Sequence, residues 1–535
     1  VRSLAMVQMR SSFGLDEIFE LPQEAREGYE DGPVPLAGRE SHGWEDAGLE
    51  APEPADHRES VAQLRRAYES GEVTPLEVLE RIAGRIEAGE FHEMVHSPFV
   101  AVDLERAREA AEASAERYER GEPKGPLDGI PVPIKDEYDM EGLETDSGTG
   151  FLGGIEGPAR RDSEVARRLR GAGALLVGKS RATEWGLQPT GFNANQVMPR
   201  NPYDRSRAAG GSSTGTGAAV AAGLSPVGLG TDGGGSIRIP AAVNGIFGLK
   251  PTFQRLSRRG DHWKGTMSHG GPLGQSTADL VEFLAATGGK PDPADPATTF
   301  APDGRDPVPD WREALGRGVD GCRIGVWKWA FDIADDHVAQ PCWTALRALE
   351  REGAELVDID VEYAERHQTL GALILGVETA GMLHDVMRDY DERTGDDVRL
   401  MMRAFSTLSG GEYVVGNRTR AVLRERLASA FGAVDLLASP MTNAVAPEFP
   451  LEDDETAIYD EGAIQELTKF TFLANLCGIP AGTAPVGLVD GLPVGLQLMG
   501  DAWDEASVLA AMAHLERLGL TGLPRPAGYL RQTPR

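Results

Sequence analysis

The segment Gly228-Leu-Gly-Thr-Asp-Gly-Gly-Gly-Ser236 closely follows a second glycine-rich segment, Ala209-Gly-Gly-Ser-Ser-Thr-Gly-Thr-Gly217. Glycine lets a backbone approach a bound group closely, because no Cβ intervenes. One use of such loops is to cradle phosphate, but neither segment contains the G-x-x-x-x-G-K-[ST] pattern. The glycines and serines therefore indicate a different kind of anion site.

The end of the first quoted segment predicts an oxyanion hole beside a nucleophilic serine. We expect four successive backbone N–H groups to converge on one oxygen: those of Gly233, Gly234, Gly235 and Ser236. A short helix predicted over Ile237–Ala242 would add the positive end of its dipole. A tight glycine turn with a capping serine is the alternative interpretation.

A serine nucleophile needs a base, and Lys135 is the candidate. The histidines are scattered and form no Ser-His-Asp arrangement around a G-x-S-x-G elbow. Lys135 ends the apolar run Ile130-Pro-Val-Pro-Ile134, and apolar neighbours disfavour the charged form of a lysine. Asp136 opposes this effect if its carboxylate points toward the amine. A lysine that reaches solvent from an edge strand is the alternative.

Together these segments resemble the amidase signature family of serine amidohydrolases. The likeness extends from about residue 60 to about residue 520. The matching segments are Gly129-Ile-Pro-Val-Pro-Ile-Lys-Asp136, Gly210-Gly-Ser-Ser213, Gly230-Thr-Asp-Gly-Gly-Gly-Ser-Ile-Arg-Ile-Pro-Ala-Ala242, Gly248-Leu-Lys-Pro-Thr252, Gly271-Pro-Leu273 and Gly491-Leu-Pro-Val-Gly-Leu-Gln-Leu-Met-Gly500.

The resemblance implies a Ser-cisSer-Lys triad of Ser236 as nucleophile, Ser212 as bridging serine and Lys135 as terminal base. Ser212 would follow a cis peptide bond from Gly211. The triad would form an acyl-enzyme with a small-molecule amide, without a metal or an organic cofactor. Three further residues match positions that brace these loops: Ser213, Asp232 and Arg238.

Two departures from the family pattern concern loop geometry. Residue 233 is glycine where the family usually has threonine or another β-branched residue, and Thr214-Gly-Thr216 stands where Gly-Gly-Ser is commoner. Neither removes a member of the triad, so they bear on loop geometry and substrate fit.

The implied fold is one α/β domain, with a mixed central sheet of about eleven strands covered by helices on both faces. We expect an amidase signature domain over residues 60–535 and an acidic, partly mobile extension over 1–59, which functions as a lid or an oligomer arm if it has a role. Local signals predict helix starts at Thr74, which begins a capping box with Glu77, and at Asp103. Prolines 131 and 133 predict an edge or irregular strand at 129–134, because proline cannot donate to a strand ladder.

Composition excludes several classes of function. The formal net charge of −31 disfavours nonspecific nucleic-acid binding. The three cysteines are too few and too widely separated for a disulfide framework or a zinc ribbon. No signal sequence or apolar segment long enough to span a membrane is evident, so we expect a cytoplasmic protein. The sequence allows a homodimer.

The segment His92-Glu93-Met94-Val95-His96 matches the H-E-x-x-H pattern of zinc peptidases. That chemistry needs one helix through both histidines, whereas Gly89 and Pro98 flank this segment. We therefore predict a loop here and no metal site, and keep a zinc peptidase only as an unfavoured alternative.

Two questions about function stay open in the sequence. An amidotransferase A-type subunit, working with partner subunits, is the main alternative to a stand-alone amidohydrolase. The substrate pocket is expected within about residues 360–470, where a plain helical core is favoured over a pocket for Leu370–Leu375, Met401, Met402 and Phe405. Amides, carbamates and esters all remain candidate substrates.

Overall fold

The sequence signals for helix starts are confirmed in the computed structural model, which describes residues 12–26, 47–52, 59–89, 91, 94–263, 265–299, 309–449 and 459–533. Thr74 and Glu77 form the expected capping box at the start of the helix Pro75–Ala88. Asp103 accepts the backbone N–H of Arg106 and begins Leu104–Glu119, which ends close to the predicted Gly121.

The strands are numbered in chain order. They are β1 Phe99–Val102, β2 Pro131–Lys135, β3 Leu175–Ser180, β4 Arg200–Asn201, β5 Asp204–Ala208, β6 Val227–Asp232, β7 Phe247–Lys250, β8 His269–Gly274, β9 Arg323–Trp327, β10 Glu355–Ile359, β11 Leu436–Pro440, β12 Ala481–Val489 and β13 Leu492–Gly500.

The α-helices of the described residues are numbered likewise. They are α1 Gln23–Arg26, α2 Val61–Ser70, α3 Pro75–Ala88, α4 Leu104–Glu119, α5 Leu152–Glu156, α6 Glu164–Gly171, α7 Thr214–Ala221, α8 Arg238–Val243, α9 Thr277–Thr287, α10 Trp311–Ala314, α11 Lys328–Ile333, α12 Asp336–Arg351, α13 His367–Met382, α14 His384–Tyr390, α15 Asp396–Phe405, α16 Gly410–Ala430, α17 Glu461–Thr468, α18 Phe472–Cys477 and α19 Glu505–Arg517.

Eleven strands form one mixed sheet, in the order β1-β3-β2-β6-β8-β7-β12-β13-β11-β9-β10. Parallel pairs join β3, β2 and β6, and also β11, β9 and β10, while the strands between these groups pair antiparallel. With the helices that pack on it, this sheet confirms the single α/β domain implied by the family resemblance.

Strand β2 corrects one prediction about its place in the sheet. The strand is irregular, as its prolines indicate, with a register shift between Val132 and Pro133. It is not an edge strand, because β3 and β6 lie on either side of it. On the β6 side the pairing joins Ile134 to Leu229, and the hydroxyl of Ser225 donates to the Pro131 carbonyl at 2.6 Å. Limited pairing on one side thus accommodates two prolines in an interior strand.

The described part of the acidic extension packs on the helical layer. Leu15 and Ile18 are buried in a core cluster that also contains α16 residues such as Leu423. The Gln465 side-chain amide donates to the carbonyl of Ser12 at 3.3 Å. The division of the chain at residue 59 stays a prediction, and residues 1–11 and most of 27–58 lie outside the described residues.

No single helix in the part of the chain that the structure describes has the length and apolar character needed to cross a membrane. Only the bent pair Ala364–Met382 and His384–Arg393, which meets at 59°, reaches them jointly.

A buried ion pair joins the C-terminal helix α19 to the segment after β7. Glu505 contacts Arg255 at 2.6 Å, and both side chains are fully buried. Burial alone would raise the pKa of Glu505, but Arg255 and the Thr252 hydrogen bond lower it to about 2. Because this pKa is depressed in the folded state, its contribution to stability is present above about pH 4.5 and is lost as the pH falls toward 2.

We therefore expect Glu505→Gln to lower the free energy of unfolding at pH 7 by about 3–5 kcal/mol, since it leaves Arg255 buried without its partner. The variant should also lose less stability than the wild type between about pH 4.5 and pH 2. Thermal unfolding across this pH range measures both effects. Glu80→Gln, which breaks an exposed pair with Arg108, is the control and should cost at most about 1 kcal/mol. Equal losses in the two variants would contradict the prediction.

Candidate active site

The amine of Lys135 lies at the end of β2 and is fully buried. Its Nζ contacts Ser212 Oγ at 2.7 Å and Thr231 Oγ1 at 2.5 Å. A carboxylate oxygen of Glu137 lies 3.0 Å away. An ammonium group can donate one N–H to each of these three oxygens. A neutral amine can donate to two of them and present its lone pair to the third, so both protonation states fit.

The neighbouring carboxylate of Asp136 points away from this amine. It pairs with Lys179 at 2.9 Å, and both side chains are buried. Burial raises the pKa of Asp136, although the charge of Lys179 partly opposes that shift. The question that the sequence left open about Asp136 is thus answered, and Glu137 is the carboxylate beside Lys135.

Ser212 follows a cis peptide bond from Gly211, as the family resemblance implies. A Cβ on Gly211 would lie 2.3 Å from the carbonyl oxygen of Gln188, so only glycine fits there. The next residue, Ser213, donates from Oγ to the Thr231 carbonyl at 3.2 Å and accepts the Thr231 N–H at 3.3 Å. Ser213 therefore ties the serine loop before α7 to the end of β6.

The turn between β6 and α8 is organised around the carboxylate of Asp232. This group accepts the backbone N–H of Gly235 at 2.7 Å and that of Ile237 at 3.2 Å. It also accepts from the Arg238 guanidinium, in a pair whose side chains are both fully buried. Burial alone would raise the pKa of Asp232, but Arg238, Lys250 and Asn475 hold it below its ordinary value. The contacts of Asp232 and Arg238 fit the bracing role implied by the resemblance.

The hydrogen bonds of this turn change the expected set of oxyanion donors. Because the N–H of Gly235 already donates to Asp232, Gly235 leaves the set. Its φ of 124° instead makes it the glycine that this turn needs. Among the described residues, no acceptor faces the N–H groups of Gly233, Gly234 and Ser236.

Ser236 and Ser212 line the same cavity, which has a volume of about 830 Å³ including the part open to solvent. Gly233 and Gly234 form part of its wall beside these serines. The structure thus brings Lys135 and Ser212 into contact and places Ser236 on the cavity wall that Ser212 also lines.

The rest of the cavity wall is mostly apolar and comes from distant parts of the chain. Its apolar side chains are Phe13, Leu187, Pro189, Trp263, Ala372, Leu375, Met401, Phe405, Tyr459, Ile464 and Phe472.

The expectation of a plain core for the 370–405 segment is correct only in part. Leu370, Leu373 and Ile374 are buried in the helical core. Leu375, Met401 and Phe405 line the cavity. One face of α13 therefore packs in the core while the next residue along the helix reaches the site.

Sequence reasoning missed three residues of this site: Glu137, Thr231 and Phe13. Glu137 lies two residues from Lys135, and Thr231 adjoins Asp232. Their position inside the matching motifs was a signal that could have identified them. Phe13 lies in the extension, outside the family likeness, and nothing local in the sequence indicates its role.

The H-E-x-x-H segment lacks the helix that a zinc peptidase needs. Val95 has a φ of 65°, and residues 94–97 form turns and bends. His92 and Glu93 lie outside the described residues. Among those described, no group of three or more metal-ligating side chains is present.

Comparison with known proteins identifies relatives of this fold and site. A family model described as Amidase matches residues 77–509. The chain is 36% identical over 471 residues to a fatty acid amide hydrolase of Arabidopsis thaliana, which covers 84% of this chain and 75% of that protein. It is 35% identical over 479 residues to the A-type subunit of the glutamyl-tRNA(Gln) amidotransferase of Chloroflexus aggregans, with 85% and 95% covered. A crystal structure of a bacterial aryl acylamidase of the amidase signature enzymes matches with a TM-score of 0.77 at 26% identity, covering 87% of this chain and 97% of that one.

The unusual Gly233 gives a test of the turn that holds the proposed oxyanion donors. A Cβ at this position would meet Leu375 and Trp263 at 3.6 Å, an ordinary van der Waals contact. We expect Gly233→Ala to raise the free energy of unfolding by about 0.4–1 kcal/mol, because alanine restricts the unfolded chain. Gly234→Ala is the contrasting variant and should destabilise, since its Cβ would lie 2.4 Å from Phe472. Thermal unfolding measures both, and a Gly233→Ala variant less stable than wild type would contradict the prediction.

Proposed function

The chain belongs to the amidase signature family of amide hydrolases, and on that premise we propose that it cleaves a carboxamide through an acyl-enzyme on Ser236. The observation that carries the proposal is the 2.7 Å contact between the buried Lys135 amine and Ser212, in a site whose cavity Ser236 lines. A buried amine joined to one hydroxyl beside a second is what a Ser-Ser-Lys relay requires.

The proposed relay moves two protons in concert with attack. The Ser236 hydroxyl gives its proton to Ser212, and Ser212 gives its own to the neutral Lys135. The Ser236 oxygen then bonds to the carbonyl carbon. When the C–N bond breaks, the relay runs in reverse, and Ser212 protonates the departing nitrogen. Water hydrolyses the acyl-enzyme by the same sequence of proton transfers.

The proposed oxyanion donors are the N–H groups of Gly233, Gly234 and Ser236. Their support is that no acceptor within the described residues faces them, while Asp232 and Arg238 fix the turn that carries them. Donors held in place before the reaction stabilise a developing negative charge without reorganisation.

We propose amides with an apolar acyl group as the substrate class. Support comes from the apolar wall of the cavity, which includes Leu375, Met401 and Phe405. The fatty acid amide hydrolase relatives are consistent with that class. Burial of an apolar acyl chain against such a wall supplies binding energy in proportion to its area.

A second candidate is the A-type component of an amidotransferase. The coverage of 95% of the Chloroflexus aggregans protein favours it. The net charge of −31 opposes an assembly with tRNA, unless a partner protein holds the nucleic acid. Robust turnover of amides by the isolated chain would favour the stand-alone hydrolase.

The relay predicts that Ser236→Ala loses activity while the protein stays folded. We expect kcat to fall by about 1000-fold or more, because no other oxygen can form the acyl-enzyme. Intact mass spectrometry during turnover should show the acyl adduct on the wild type and not on this variant. Ser206→Ala removes an exposed serine of β5 and is the control that should retain the adduct. Retained turnover in Ser236→Ala would end the proposal.

The apolar wall predicts a role for Phe13 in substrate choice. Replacing Phe13 by alanine removes an aromatic ring from the cavity wall. We expect kcat/KM for long-chain acyl amides to fall about tenfold, because the lost apolar contact is worth about 1–2 kcal/mol. Short acyl amides that do not reach the ring should change little. Phe13→Leu keeps part of the contact and should fall between the two, and an equal loss for all chain lengths would contradict a role in acyl binding.

A further inference from the structure

Glu137 places an unpartnered carboxylate oxygen at the wall of the active-site cavity. Its side chain is 3% exposed. One oxygen, Oε2, lies beside Lys135 and accepts the Thr231 hydroxyl. The other, Oε1, has no hydrogen-bond partner among the described residues. Glu137 belongs to the cavity lining, so that oxygen is available to a bound molecule.

The position of Oε1 relative to Ser212 can be read from Gly186. A methyl group built on Gly186 would lie 2.7 Å from Oε1 of Glu137 and 3.3 Å from Oγ of Ser212. The two oxygens therefore border the same small space. A buried carboxylate oxygen is costly to leave without a donor, so a substrate that brings an N–H into this space is favoured there.

The proposed reaction brings such a group to Ser212. When the tetrahedral intermediate collapses, the oxyanion electron pair re-forms the carbonyl bond and the C–N electron pair stays on nitrogen. That nitrogen takes a proton from Ser212, which takes one from the Lys135 ammonium. The leaving nitrogen must therefore approach Ser212 Oγ, and its remaining N–H groups come within reach of Glu137.

We propose that Glu137 Oε1 accepts an N–H of the scissile amide and of the departing amine, and that this contact makes the site prefer amides to esters. The inference rests on the proposed function, because it assumes that Ser212 protonates the leaving group. Glu137 takes no proton in the step. An ester leaving group has an oxygen without hydrogen, which turns lone pairs toward the carboxylate. A buried group that expects a donor rejects an analogue that lacks it.

The test compares an amide and an ester of the same acyl group in wild type and in Glu137→Gln. Both substrates give the same acyl-enzyme, so single-turnover acylation rates separate the leaving-group step from deacylation. We expect the amide-to-ester ratio of acylation rates to fall by about tenfold or more, as for the loss of a hydrogen bond to a charged group. The ester rate itself should change by less than about threefold.

Glu184→Gln is the matched control. Glu184 is also a buried carboxylate, but its oxygens accept the Gly395 N–H at 2.9 Å and the Asn195 amide at 3.0 Å. The ratio should be unchanged in this variant. Glu137→Asp keeps the charge near Lys135 and withdraws the oxygen from the cavity, so it should also lower the ratio and serves if Glu137→Gln does not fold.

Two outcomes would overturn the inference. Amide and ester rates that fall by the same factor in Glu137→Gln would mean that Glu137 acts only by positioning Lys135. An unchanged ratio with unchanged rates would mean that Oε1 contacts no substrate atom. Either result differs from failure of the proposed function, because in that case Ser236→Ala would retain turnover of both substrates.

Discussion

The contact between the buried Lys135 amine and Ser212 requires three distant parts of the chain to meet. Strand β2 supplies the amine, the loop before α7 supplies the hydroxyl, and β6 supplies Thr231 beside them. Parallel pairing of β2 with β6 brings the ends of these strands to one edge of the sheet. Placing an amine there without solvent is costly unless its hydrogens have acceptors. The surrounding oxygens meet that need, and one of them is the proposed relay serine.

Each of three buried carboxylates around this edge lies beside its own buried cation. Asp136 pairs with Lys179, Asp232 with Arg238, and Glu137 with Lys135. The first two pairs are closed off by further protein contacts, as when Asp232 also holds two backbone N–H groups. The third pair differs, because it shares its cation with Ser212 and exposes one carboxylate oxygen to the cavity. Structural ion pairs and the proposed reacting pair are therefore distinguished by what else their atoms touch.

The sequence was sufficient for features that depend on neighbours along the chain or on a recognised motif. The capping box at Thr74, the cis bond before Ser212 and the eleven-stranded sheet were all anticipated. The interior place of β2 was not, because pairing with β6 is decided by strand order rather than by the prolines. The engagement of the Gly235 N–H was missed for a similar reason, since a glycine run does not reveal which donors a side chain already occupies. Phe13 reaches the cavity through packing of the extension on distant helices, which leaves no local pattern.

The proposed reacting groups and the apolar wall come from different parts of the chain. Lys135, Ser212 and Ser236 lie on the strands and turns of one half of the sheet, whereas most of the wall lies between residues 372 and 472. Such separation lets side chains of the wall change with little effect on the proton relay. Phe472 is where the two parts meet, because its ring packs so closely on Gly234 that a Cβ there would lie 2.4 Å away. A change of wall at Phe472 would therefore also move a proposed oxyanion donor, and substrate fit and charge stabilisation are physically coupled at this residue.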